Sequence, residues 1–401
     1  MALFLPHDTI GKGTEAGRKM TDNLVLQGPL VLPDRILLDG EIVVQGERIQ
    51  AVHDRLTTAH PHIRWTDGWI FPGLTDIHVH GIDGHDVMDG TVRALEGLDQ
   101  GLAETGTTSY LATTMTATSD ELQRVFEALR SFRVQHPEAG LLGVHMEGPY
   151  IHPTRIGAQR PDAVRPPSRL ELEQYRIWLE GDLRRVTLAP ESTGVDEVIR
   201  WARDSGIYLS AGHSNASFEE AMEAFAAGIR QVTHLFNAMT GLNHRAPGLV
   251  GAALAHPEVQ VEVIADGVHL HPEIVHLTRK LKGEDGVLLV TDAMRATRLS
   301  NGVYDLGGQS MRVEGGVART EGGNLAGSTL TLTEAAFNYQ RFAEVSLEEA
   351  VRAASLRPAR AIGLFDRGAL EPGFLADVLL VDSHGQNRLT MRRGQVVYDG
   401  R

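Results

Sequence analysis

Eight short apolar runs, at residues 70–78, 106–114, 139–147, 185–191, 207–213, 229–234, 259–265 and 287–292, alternate with stretches of amphipathic helical pattern. Strands that recur with a helix between them must run parallel, because only a long crossover returns the chain to the same edge. Eight such units are the number that closes a (β/α)8 barrel. The competing arrangement is a doubly wound open sheet, and no Gly-x-Gly-x-x-Gly opens a helix to support it. Helix starts are marked by Thr118–Glu121, Ser217–Glu220 and Ser346–Glu349, each spaced as a capping box. After the first of these, Leu122, Val125, Phe126, Leu129 and Phe132 follow helical spacing.

Outside this repeat the texture changes. Residues 21–70 and 361–401 read as short strands and turns, typified by "EIVVQGERIQAV" and "ADVLLVDSHGQNRLTMRRGQVVYDG". They predict a small β-sandwich formed by both chain ends, with the barrel over 71–360. Residues 1–20 are expected to be a flexible extension, and the Gly-rich stretch 301–328 a hairpin insertion.

Polar residues fall at one end of the predicted strands. The first strand ends in "DIHVH" with His78 and His80, the third in "GVHMEGP" with Glu147, and the fifth in "LSAGHSN" with His213. The sixth ends in "QVTHLFNAM" with His234 and the eighth in "LLVTDAM" with Asp292. In a barrel these C-terminal strand ends converge on one rim, where active sites are built. Residues i and i+2 of a strand point the same way, so His78 and His80 both face the mouth. Two other His-x-His pairs exist, but His60/His62 flank a proline in a loop and His269/His271 follow the seventh strand. Four histidines and two carboxylates on one rim form a site for one or two divalent ions. His145 reads as a supporting residue.

Composition narrows the chemistry. The chain has no Cys, which excludes disulfides, thiolate ligands and Cys nucleophiles, so any metal must use His, Asp, Glu or water. The formal net charge of −14 argues against a nucleic-acid partner and leaves room for a local basic pocket. No apolar run approaches a membrane span, and the N-terminus is a poor signal peptide, so a cytoplasmic location is expected.

The same residues carry a resemblance. "FPGLTDIHVHG" with the later His, His and Asp, and the closing "ASLRPARAIGLFDRGALEPGFLADVLLVD", resemble the amidohydrolase superfamily. Within it, "HMEGPYIHPTRIGAQRP", "VTLAPE", "SAGHSNAS", "THLFNAMTGLNHRAPGLVGAAL", "ADGVHL", "LVTDAM" and "GNLAGSTLTL" are similar, in order and spacing, to the N-acetylglucosamine-6-phosphate deacetylase family. The similarity runs from about residue 24 to the C-terminus.

The resemblance implies a metal-dependent hydrolase that removes the acetyl group of a small phosphorylated amino sugar. It implies Glu147, His213 and His234 as ligands of a main ion, zinc or iron being expected. His78 and His80 would serve a second ion bridged through Glu147. Asp292 matches the catalytic base and is a further candidate ligand. Asn237, the Ala238 amide, Arg245 and His269 match phosphate or sugar contacts, with His244 as an assistant. In some members the Arg and His reach in from a neighbouring subunit, which implies a homodimer. One departure is Gln159, which stands where many relatives have a His that contacts the substrate carbonyl. Gln donates a hydrogen bond but carries no proton or charge, so either the metal does more of the polarising, or His145 or His152 substitutes, or the substrate differs. Competing substrates are the C4 epimer, N-acetylgalactosamine 6-phosphate, and other amides such as dihydropyrimidines or N-acyl amino acids. Relatives of the latter kind often carry a Lys at the end of strand four, and "RVTLAPES" has none. A catalytically dead sugar-phosphate binder is the remaining reading.

Overall fold

The computed structural model describes residues 23–401, so the expected extension over 1–20 lies outside the described residues. Eight parallel strands form one sheet in sequence order: β1 Leu74–Val79, β2 Thr107–Thr114, β3 Leu141–Glu147, β4 Leu183–Leu188, β5 Tyr208–Ala211, β6 Gln231–Val232, β7 Gln260–Val263 and β8 Val287–Leu289. The ends of this sheet meet. Asp292 N–H donates to His78 O at 2.9 Å and His80 N–H donates to Ala293 O at 2.9 Å, which closes the barrel just past β1 and β8.

Eight helices cover it: α1 Val92–Glu104, α2 Ser119–Gln135, α3 Arg169–Trp178, α4 Val195–Ser205, α5 Phe218–Ala227, α6 Gly248–Ala255, α7 Pro272–Lys282 and α8 Leu332–Ala343, followed by α9 Leu347–Ala354 and α10 Leu356–Ala361. The spaced apolar residues of α2, from Leu122 to Phe132, are all buried. Full burial of a side chain such as Phe126 contributes roughly 1.5–3 kcal/mol. The Thr118 and Ser217 capping boxes form in both directions. At α9, Ser346 accepts from Glu349 N–H, but the Glu349 carboxylate turns away to pair with Arg279.

The first apolar run serves two sheets. Gly68–Pro72 pairs antiparallel with Val378–Asp382 at the chain's end, while β1 begins two residues later in the barrel. Gly73 is the pivot. A Cβ there would lie 2.2 Å from Thr108 Oγ1 and 2.7 Å from Asp377 Cβ, a crowding only glycine escapes. The end sheet holds eight strands, drawn from residues 24–72 and 378–399. Its inward residues, among them Leu26, Ile42, Ile70, Leu380 and Met391, gather into a core separate from that of the barrel. The insertion is a three-stranded antiparallel sheet over Gly302–Leu306, Gln309–Glu314 and Val317–Thr320. Its return fastens to the site-bearing segment, Ser328 N–H donating to Asp292 O at 2.7 Å. Among the described residues no helix is long and apolar enough to cross a membrane.

Candidate metal centre

The apolar runs outlast the regular strands, and the polar side chains sit in that overhang. Glu147 is the last residue of β3, His213 and His234 each lie two residues past β5 and β6, and Asp292 lies three past β8. His213, His234 and Asp292 take left-handed backbone angles, with φ of 47°, 29° and 50°. Non-glycine residues resist that region, and such strain persists where surrounding structure enforces it. Ala238 and Phe236 on the same rim share it, with φ of 49° and 77°.

These turns bring six side chains to one point. Glu147 Oε1 lies 3.1 Å from His213 Nε2, 2.9 Å from His234 Nε2 and 3.5 Å from His78 Nε2. Its other oxygen, Oε2, lies 3.3 Å from His80 Nε2. Asp292 Oδ1 is 3.2 Å from His80 Nε2 and 3.5 Å from His78 Nε2. Two ligand triads result, His78–His80–Glu147 and Glu147–His213–His234, sharing one carboxylate. All five residues are buried.

The partners of the far ring nitrogens show what the near ones offer. His78 Nδ1 lies 3.0 Å from the Glu262 carboxylate, His80 Nδ1 is 3.1 Å from Thr113 O, and His213 Nδ1 is 2.8 Å from Arg155 O. Carboxylates and carbonyls only accept, so each Nδ1 carries a proton and Nε2 is the ring atom that each histidine turns into the site. His78 Nε2 is buried with no hydrogen-bond partner. His213 Nε2 and His234 Nε2 are 3.1 Å apart, with Glu147 Oε1 beside both. Acceptors packed this closely need a cation among them, and imidazole with carboxylate is the donor set of zinc, iron or manganese. The residues therefore fit a divalent ion.

Electrostatics agree. Burial opposes the charged form of Glu147, but the surrounding His78, His213 and His234 hold its carboxyl well below the usual range. Burial likewise opposes charge on Asp292, and His78 and His80 outweigh it, keeping the group ionised. Burial and the neighbouring Arg185 hold His145 well below the ordinary imidazole value, so it is neutral. His145 bonds Thr187 Oγ1 at 2.7 Å and Thr113 Oγ1 at 3.3 Å, a supporting position under the centre.

A cleft of about 410 Å³ opens over these residues, a size suited to a small ligand. His80, Glu147, Gln159, His213, His234, Asn237, Ala238, His269 and Asp292 all line it. His269 is held by Asp266, Nδ1 to Oδ2 at 2.7 Å. Gln159 faces Glu147 Oε2 with its Nε2 at 2.7 Å. Arg245 and His244 lie exposed on the 241–246 loop and do not line the cleft. His152 does not line it either.

Sequence reasoning missed three residues. Arg155 lines the cleft and supplies the carbonyl that orients His213. Glu262 Oε2 accepts from His78 Nδ1 and from His234 N–H, each at 3.0 Å, and so braces both triads. Arg185 pairs with Glu262 inside the barrel and is fully buried. A charged residue inside an apolar strand run, as in "VEVI" or "RRVTL", was the signal available.

A profile of the amidohydrolase family matches residues 69–397. The chain belongs to the amidohydrolase family. Within it, the chain is 35% identical over 395 residues to an N-acetylglucosamine-6-phosphate deacetylase of Bacillus subtilis (strain 168), covering 94% of this chain and 98% of that protein. It is 39% identical over 315 residues to an N-acetylgalactosamine-6-phosphate deacetylase of Escherichia coli O157:H7, covering 78% and 83%. Among solved structures, an N-acetyl-D-glucosamine-6-phosphate deacetylase mutant from Mycobacterium smegmatis in complex with N-acetyl-D-glucosamine-6-phosphate superimposes with a TM-score of 0.89. It is 31% identical and covers 94% of this chain and 99% of that one. This amidohydrolase thus shares both its barrel and its end sheet with enzymes that act on acetylated amino-sugar phosphates.

Proposed function

We propose that this protein hydrolyses the acetamide of N-acetyl-D-glucosamine 6-phosphate to D-glucosamine 6-phosphate and acetate. The observation that carries the reading is the pair of triads sharing Glu147, with Asp292 beside them at the floor of a sugar-sized cleft. The near full-length likeness to deacetylases of this substrate supports it.

Glu147, His213 and His234 would hold one ion, and His78, His80 and Glu147 a second, with Asp292 within reach of the latter. When bound, a divalent ion lowers the pKa of water toward 7 and polarises a carbonyl. The rest falls to the chain's own groups. Asp292, ionised and lining the cleft, takes a proton from the attacking water and returns it to the departing amine. Its left-handed backbone and the Ser328 N–H on its carbonyl hold the carboxylate at that place. Asn237, the Ala238 amide and His269 line the cleft where they can receive hydroxyl and phosphate oxygens. Arg245, exposed on its loop near exposed Leu242, would serve a neighbouring subunit's cleft in a homodimer. Zinc or iron suits the donor set, and a charged sugar phosphate is a substrate of the cytoplasm.

The 39% identity to an N-acetylgalactosamine-6-phosphate deacetylase favours the C4 epimer as the second reading. Acetate release from both 6-phosphates and from unphosphorylated N-acetylglucosamine separates them. The expected order of kcat/KM is N-acetylglucosamine 6-phosphate first, its epimer next and the unphosphorylated sugar far behind. A faster reaction with the epimer transfers the assignment to it, and no acetate from either phosphate removes the proposal.

A further inference from the structure

Glu147 is the only carboxylate common to both triads. It serves both only while its plane is fixed, with Oε1 toward His213 and His234 and Oε2 toward His80. The terminal torsion of a glutamate is soft, so left alone the carboxylate would rotate between orientations. Gln159 Nε2 meets Oε2 at 2.7 Å. The far end of that amide is also occupied, Oε1 accepting from Thr116 N–H at 2.7 Å, and Nε2 further approaches Met115 Sδ at 3.7 Å.

Chemistry settles which way the amide points. The Thr116 N–H only donates and the Glu147 carboxylate only accepts, so the oxygen must face Thr116 and the nitrogen Glu147. Gln159 is 2% exposed, and both of its ends are used by the protein. An arriving substrate carbonyl would have to break one of these bonds to engage it. A side chain that cannot ionise also makes the same bond at every working pH.

We propose that Gln159 is a positioning residue for Glu147, and through it for the second ion position formed with His78 and His80. It is not a contact of the substrate amide. This rests on reading the cluster as a two-ion centre, and is independent of which sugar is hydrolysed.

The test is a zinc titration of chelated protein in the absence of substrate. Wild type is expected to bind two ions per chain. Gln159→Leu and Gln159→Met keep side-chain bulk and lose the donated bond. They are expected to bind the first ion as wild type does and the second 10- to 100-fold more weakly, the usual effect of removing a group that orients a ligand. Unchanged binding of the first ion shows that the variant is folded. Two further results overturn the proposal. In one, both variants bind both ions with wild-type affinity, which leaves Gln159 no part in positioning Glu147. In the other, wild type binds one ion only, leaving no second position to serve. Because no substrate is present, failure of the deacetylase assignment would not alter these results.

Discussion

Single side chains carry the chemistry because each is held from behind. Asp292→Asn removes the proposed proton acceptor while leaving the side chain's shape, and a fall in kcat of roughly 10²–10⁴-fold is expected, read from acetate release. Glu262 is the larger structural risk. It is buried between Arg185 and His78, so Glu262→Ala strands a buried guanidinium and frees the His78 ring. A stability loss of about 3–5 kcal/mol in urea unfolding is expected, together with weaker zinc binding. In the end sheet, Glu41 accepts from Gln27 Nε2 at 2.7 Å and from Thr57 and Thr58 N–H at 3.1 and 2.9 Å. Burial opposes its charge, yet the Thr57, Gln27 and Thr58 donors bring it down to about 2. A depressed carboxylate stabilises above its unfolded value of 4.5, and that contribution is lost as pH falls from there toward about 2. Glu41→Gln should therefore flatten acid unfolding in that window, as followed by circular dichroism. The cluster of polar residues on the rim was legible in the sequence because histidines and carboxylates break the apolar pattern at strand ends. Glu262 and Arg185 were legible only as charges inside apolar runs, since pattern reports that a strand is buried without saying which polar atoms meet inside the barrel.

At the scale of elements, glycines and caps decide where the strands deliver their residues. A Cβ on Gly81 would lie 2.4 Å from His85 O and 2.8 Å from Arg295 N, so the backbone after His80 packs too closely for a side chain. Gly81→Ala should destabilise by roughly 1–3 kcal/mol and weaken zinc binding by moving His80, measured by thermal melting and metal titration. Thr118→Ala removes the α2 cap and should lose about 1 kcal/mol with the metal centre untouched. Helix starts were readable to the residue where Ser or Thr precedes Glu by three. At α9 that reading held for the serine only, because Arg279 competes for the Glu349 carboxylate and no local pattern reveals a partner 70 residues away. The first apolar run looked like one strand because hydropathy does not register which sheet an edge joins. Gly73 divides it between two.

The molecule as a whole joins an eight-stranded barrel to an end sheet through adjoining runs of the chain, and the barrel closes at the metal-binding rim itself. The bonds from Asp292 to His78 and from His80 to Ala293 are barrel closure and ligand placement at once. Ions that bind the folded barrel and not the unfolded chain must then stabilise it, in proportion to the logarithm of their concentration over Kd. The same linkage makes metal removal the most direct test of the account. Acetate release from N-acetylglucosamine 6-phosphate should be measured on one preparation as isolated, after chelation and dialysis, and after zinc or ferrous iron is restored. Activity is expected to fall to background on chelation and to return with the metal. Full turnover by metal-free protein, or no acetate from the reloaded protein, would contradict the assignment of this rim as a metal-dependent deacetylase centre.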